Sequence, residues 1–193
     1  PNFPVALDLA TLDPSENLIY LARPCQYSGL SNGSACPNDY WMEKRYAPEV
    51  LNAYSSALDQ LKARYNIKKF NLIGFSGGAT VAALLAGQRN DIASLRSIAG
   101  NLDHIAHSRI HDVSILSGSL NPPQYAAKLS TIPQYHFIGG EDTIVPINIL
   151  YSYKDRLPQD YCLNYKIIDG ISHDKGWNEA WPSLLSLTPS CRL

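Results

Sequence analysis

Between Lys69 and Gln88 the chain passes without a break from a strand-like stretch, Lys69–Gly74, through a glycine-rich turn into a segment with no polar side. The turn is Gly74-Phe75-Ser76-Gly77-Gly78, and the segment after it carries Val81, Ala82, Ala83, Leu84, Leu85 and Ala86. Such a segment reads as a helix, and a helix apolar on every face must be buried on every face. A strand, a tight turn and a buried helix are therefore expected at the centre of the fold. The flanking sequence keeps the same rhythm. Asn17–Leu21 reads as a short buried strand and Val5–Ala10 as a short helix. Residues 48–65 form a helix with Pro48 at its first position and one stripe of Val50, Tyr54, Ala57, Leu58, Leu61 and Tyr65. Ile92–Ala99, Gln134–Ile138 and Tyr165–Ile168 read as strands, with helices at Ile147–Tyr153 and around Trp181–Leu187. Strands alternating with helices predict an α/β fold, a mostly parallel sheet with helices on both faces. The 193 residues suit a single domain spanning 1–193, with Asn101–Ile132 as a small cap over the site.

Charge removes several functions. The 16 basic residues are matched by 17 acidic ones, with no block of either sign, so neither a nucleic-acid groove nor a polybasic membrane patch is expected. No apolar run reaches the length of a membrane span. The four cysteines, Cys25, Cys36, Cys162 and Cys191, make no C-x-x-C pair and have no histidine at zinc spacing. Cys25 and Cys36 bracket a stretch rich in Ser, Gly and Asn and read as a disulfide-closed loop, with two free thiols as the alternative. Cys162 and Cys191 are either a second clip on the C-terminal tail or free. An even count with low charge leans toward an oxidising compartment.

Ser76 is the centre of a G-x-S-x-G pattern, Gly74 to Gly78, placed between a strand and a buried helix. Flanking glycines suit a turn in which side chains would strike neighbouring backbone, and a helix start offers free N–H groups to a developing anion. A serine hydroxyl needs a base, and the base needs an orienting carboxylate. Asp142 follows one strand end in Gly139-Gly140-Glu141-Asp142, and His173 follows the next in Gly170-Ile171-Ser172-His173. Glu141 and Asp174 are the competing carboxylates. His136, mid-strand, reads as a core or sheet-face histidine rather than a base. His104, His107 and His111 follow Asp103 at spacings that could share a helix face and hold a metal; incidental spacing is favoured, and no metal is assigned.

From about residue 17 to the C-terminus the chain resembles the α/β-hydrolases, the esterase/lipase-like serine hydrolases, in Ser76, Asp142 and His173 and in their order. Leu21-Ala22-Arg23-Pro24-Cys25-Gln26-Tyr27, Asn101-Leu102-Asp103 and Ser119-Leu120-Asn121-Pro122 resemble little-characterised exported bacterial members. The resemblance implies a carboxylic-ester hydrolase of the periplasm or the exterior that uses no cofactor and acts on a small acyl ester. Ser76 would be nucleophile, His173 base and Asp142 orienter, with the Gly77 N–H in the oxyanion hole and Tyr27 and Trp177 shaping the pocket. It departs in one respect. Nothing before Asn17 reads as the strand whose His-Gly-type loop gives such enzymes a second oxyanion donor; that strand is expected upstream of Pro1. The competing expectation is a catalytically weak or silent binding module.

Overall fold

A computed structural model describes residues 4–25, 36–159 and 161–191. Its centre is a four-stranded, wholly parallel sheet of β1 (Phe70–Phe75), β2 (Ile92–Ile98), β3 (Gln134–Gly139) and β4 (Leu163–Ile168), in the order β1-β2-β3-β4. Around it lie α1 (Val5–Thr11), α2 (Pro48–Tyr65), α3 (Gly77–Gln88), α4 (His104–Ile110), α5 (Ala126–Leu129), α6 (Ile147–Lys154) and α7 (Trp177–Leu184). Short 3₁₀ turns occupy Asn38–Trp41 and Pro122–Tyr125.

Because strand side chains alternate between faces, β2 and β3 each feed two cores. Leu95 and Ile138 enter a cluster with Ala79, Ala83, Ala86, Leu129, Leu150 and Tyr153, which belong to α3, α5 and α6. Ile98 and Phe137 point the other way, into Val5, Leu9, Trp177, Trp181 and Leu184 of α1 and α7. The helices thus cover both faces, and residues 79–86 of α3 are buried throughout. That is what an all-apolar helix requires. Pro48 starts α2, whose basic Lys62 and Arg64 lie in the last turn, and Asn66 in left-handed conformation ends it.

Two expectations change. Asn17–Leu21 forms no strand: it borders a groove that β1 also lines, and the sheet among the described residues is β1 to β4 alone. The last helix begins at Trp177 rather than near Trp181, because Gly176 at φ 88° turns the chain into it. Both disulfides are closed, Cys25–Cys36 and Cys162–Cys191. No helix among the described residues is long and apolar enough to cross a membrane.

Candidate active site

Ser76 joins β1 to α3 with φ 50° and ψ −119°. A non-glycine residue held there carries roughly 1–3 kcal/mol of strain, so its surroundings must hold it. They do so through three backbone bonds. The Ser76 N–H donates to the Ile98 carbonyl at 2.9 Å, and its own carbonyl accepts from Ala79 at 3.0 Å and Asn101 at 3.2 Å. The glycines differ in need. A β-carbon on Gly74 would lie 2.5 Å from backbone atoms of Ala79 and Gly78, and one on Gly77 would lie 2.6 Å from the Tyr46 hydroxyl. At Gly78 a β-carbon would meet nothing within 4 Å, so the last glycine of the pattern is not demanded by contact, contrary to the expectation for both flanking glycines.

Asp142 and His173 arrive on two loops laced together beyond β3 and β4. Gly139 lets them touch: a β-carbon there would sit 2.5 Å from the Ile171 carbonyl. The Glu141 N–H donates to that same carbonyl at 2.9 Å. The Asp142 side chain is fully buried, and its Oδ1 accepts from the backbone N–H groups of Ile144 at 2.9 Å and Val145 at 2.8 Å. Its Oδ2 is 2.8 Å from His173 Nδ1, and His173 Nε2 is 2.9 Å from Ser76 Oγ. A carboxylate accepts, so Nδ1 carries the imidazole proton. Nε2 is left as the acceptor for the Ser76 hydroxyl. The Phe75 ring packs against His173 with centroids 5.2 Å apart. Three residues far apart in sequence thus form one chain of hydrogen bonds able to move a proton from a hydroxyl to a ring nitrogen. Glu141 and Asp174, the competing carboxylates, are exposed.

Trp177 takes a different place from the one expected. It is 1% exposed, and its indole N–H is shared between the carbonyls of Ser172 at 3.1 Å and His173 at 3.0 Å. Trp177 therefore braces the His173 loop from beneath instead of lining the pocket, because packing against the sheet beside Phe137 and Trp181 leaves the indole no path to solvent. Tyr27 lies outside the described residues.

The remaining histidines have other partners. His136 is buried and neutral: Nε2–H donates to Gln134 Oε1 at 3.0 Å, Nδ1 accepts from Ser97 Oγ at 2.7 Å, and burial pushes its pKa down to about 3. His104 donates to the Leu120 carbonyl at 3.0 Å and His111 to the Ile144 carbonyl at 2.8 Å, while His107 packs against His111. Burial lowers the pKa of both His104 and His107. Among the described residues no three His, Cys, Asp or Glu side chains are grouped to hold a metal ion.

Ser76, Gly77 and Gly78 line a groove of about 1630 Å³ that continues along β1 and is bordered by Asn17–Leu21, Tyr46, Asn101, His107 and Ile144. Tyr46 and Asn101 were not singled out from sequence as site residues. Tyr46 lies in no motif, and Asn101 belongs to the Asn101-Leu102-Asp103 stretch, which carried no site role; the fold brings both to the groove beside the start of α3.

A family model described as serine hydrolase (FSH1) matches residues 13–160, which include Ser76 and Asp142. The chain belongs to this serine hydrolase family. Solved α/β-hydrolases share its fold. The α/β hydrolase GrgF from Penicillium sp. sh18 superposes with a TM-score of 0.57 at 15% identity, over 74% of this chain and 70% of that one. Est1E from Butyrivibrio proteoclasticus gives 0.56 at 14% identity, over 72% and 69%. The esterase domain of a Rhodothermus marinus protein gives 0.55 at 17% identity, over 71% of this serine hydrolase and 65% of that chain. No curated protein matches the sequence.

Proposed function

We propose that this serine hydrolase cleaves carboxylic esters through an acyl-enzyme. The reading rests on one observation, the continuous hydrogen-bond chain from Ser76 Oγ through His173 to Asp142. Ser76 Oγ bonds to the acyl carbon as its proton passes to His173 Nε2, and the carbonyl π electrons move to oxygen. The Gly77 N–H, free at the start of α3, donates to that oxyanion. Collapse breaks the bond to the leaving alkoxide, which takes the proton from His173. Water then attacks the acyl-enzyme with the same histidine as base, releasing the acid and restoring Ser76. Asp142 keeps the ring in the tautomer that accepts at Nε2 and stabilises the imidazolium. Two disulfides support export to the periplasm or the exterior.

A fluorophosphonate probe followed by peptide mass spectrometry tests the nucleophile. Adduct is expected on Ser76, absent in Ser76→Ala and in His173→Ala, with turnover of p-nitrophenyl esters in parallel. A folded wild-type chain that gains no adduct would favour the second reading, a silent binding module. That reading draws on the groove open along β1 beside Gly77.

A further inference from the structure

The side of Gly77 that faces the groove meets Tyr46 end-on. A β-carbon built on Gly77 would lie 2.6 Å from the Tyr46 hydroxyl oxygen, 3.6 Å from Cζ and 3.8 Å from Cε1, so the hydroxyl leads and the ring follows. In a helix the Cα–Cβ direction leans toward the N-terminus, the same way the free N–H groups of the first turn point. The phenol oxygen therefore stands beside the space into which the Gly77 N–H is aimed.

Everything else about Tyr46 is fixed. The residue is 2% exposed. Its N–H donates to Ser119 Oγ at 3.0 Å, and its carbonyl accepts from the Leu120 N–H at 3.0 Å. Its ring packs on His104 with centroids 5.7 Å apart. Among the described residues no hydrogen bond engages the hydroxyl, and the charged group that interacts with the phenol from the groove is the Arg23 guanidinium. Nor is the hydroxyl one of the sealed-off unpartnered atoms, which are Arg96 Nε, Asn101 Oδ1, His104 Nδ1 and Trp181 Nε1. It opens on the groove that Ser76, Gly77 and Gly78 also line. A rigid side chain with a free donor, aimed at the place where negative charge develops, is what electrostatic preorganisation needs.

We infer that the Tyr46 hydroxyl is an oxyanion donor, acting with the Gly77 N–H on the carbonyl oxygen of the ester attacked by Ser76. The inference rests on the ester-hydrolase reading and adds a residue to its machinery. The phenol keeps its proton throughout, and its hydrogen bond to the substrate oxygen strengthens as that oxygen becomes an anion. Loss of one such donor costs on the order of 10²–10³ in rate.

The test is Tyr46→Phe in the full chain, which keeps the ring and its packing. Expected are a kcat for p-nitrophenyl butyrate lower by about 10²–10³, a KM within about threefold of wild type, and slower fluorophosphonate labelling of Ser76. Binding of a trifluoromethyl ketone, whose adduct places an alkoxide in the same position, should weaken by the same factor as kcat/KM falls. A merely structural tyrosine would not couple those two quantities. A variant that folds and retains kcat/KM within threefold overturns the assignment, as does one that loses turnover without losing affinity for the ketone. If Tyr46→Phe does not fold, 3,5-difluorotyrosine in place of Tyr46 keeps the packing and makes the phenol more acidic. Turnover should then fall as pH rises through its ionisation, and a profile matching wild type overturns the assignment. A wild-type chain that neither labels nor turns over ester overturns the hydrolase reading itself, which the Tyr46 variants alone would not.

Discussion

Gly74 and Ala79 meet backbone to backbone: a β-carbon on Gly74 would lie 2.5 Å from both the nitrogen and the α-carbon of Ala79. Neither partner can move away, because β1 is bonded to β2 and Ala79 is buried in α3. Gly74→Ala should therefore lower stability by about 3 kcal/mol or more, the upper range for overpacking. Gly78→Ala should do the opposite. Its β-carbon meets nothing, and replacing a helical glycine by alanine adds roughly 0.5–1 kcal/mol. Urea unfolding of the two variants checks both signs. A destabilised Gly78→Ala would show that the turn needs this glycine for a reason other than space.

Asp142 accepts three hydrogen bonds, two from backbone and one from His173. In Asp142→Asn the side-chain oxygen can keep the two backbone donors, but the amide N–H₂ then faces His173 Nδ1. The ring must present a lone pair there, which moves its proton to Nε2 and leaves Ser76 without an acceptor. Turnover of p-nitrophenyl esters should drop by about 10³–10⁴, with the melting temperature little changed. A loss of less than tenfold would show that His173 finds its working tautomer without Asp142.

Trp177 holds the carbonyls of Ser172 and His173 through one N–H. Trp177→Phe keeps an aromatic ring in the core but removes that donor, leaving two carbonyls short of a partner. About 1–2 kcal/mol of stability should be lost. Fluorophosphonate labelling of Ser76 should slow as well, since the loop that aims His173 is released. Unchanged labelling in a destabilised variant would confine Trp177 to packing.

His136 can bind a proton in the folded chain only near pH 3, whereas an exposed histidine does so near 6.5. Below about pH 6.5 the unfolded chain takes up the proton first, so stability is complete above that value and falls as pH drops toward 3. Asp91 acts in a lower window. Its hydrogen bond from Arg89, with help from Lys62, holds its pKa at about 2 against the ordinary 3.8. That contribution fades only below pH 3.8. Urea unfolding between pH 7 and pH 4 should show His136→Gln losing less stability with acid than wild type. Parallel slopes would show that His136 does not drive the loss.

The legible part of the site comprised residues placed by local pattern at strand ends. Ser76 follows β1, Asp142 follows β3 and His173 follows β4, and a parallel sheet brings such ends to one edge. The same logic made α3 legible, since a helix without a polar side has only one place to go. The roles of Tyr46, Trp177 and Gly78 were not legible. Tyr46 stands ahead of α2 in no motif and meets Gly77 only through the fold, with the whole of α2 and β1 between them in the chain.

Composition, periodicity and turn chemistry were enough, from the sequence by itself, to indicate the α/β class, the four strands that pair in the sheet and the buried central helix, while the resemblance to α/β-hydrolases supplied the order Ser76, Asp142, His173. The class, the strands and the helix follow from how each residue treats its near neighbours and water. The tertiary structure alone decided that Asn17–Leu21 forms no strand, that Trp177 braces a loop beneath His173, and that the Tyr46 hydroxyl faces Gly77. A ladder partner, a carbonyl to satisfy and a hydroxyl left free are relations between distant segments, and no local pattern carries them.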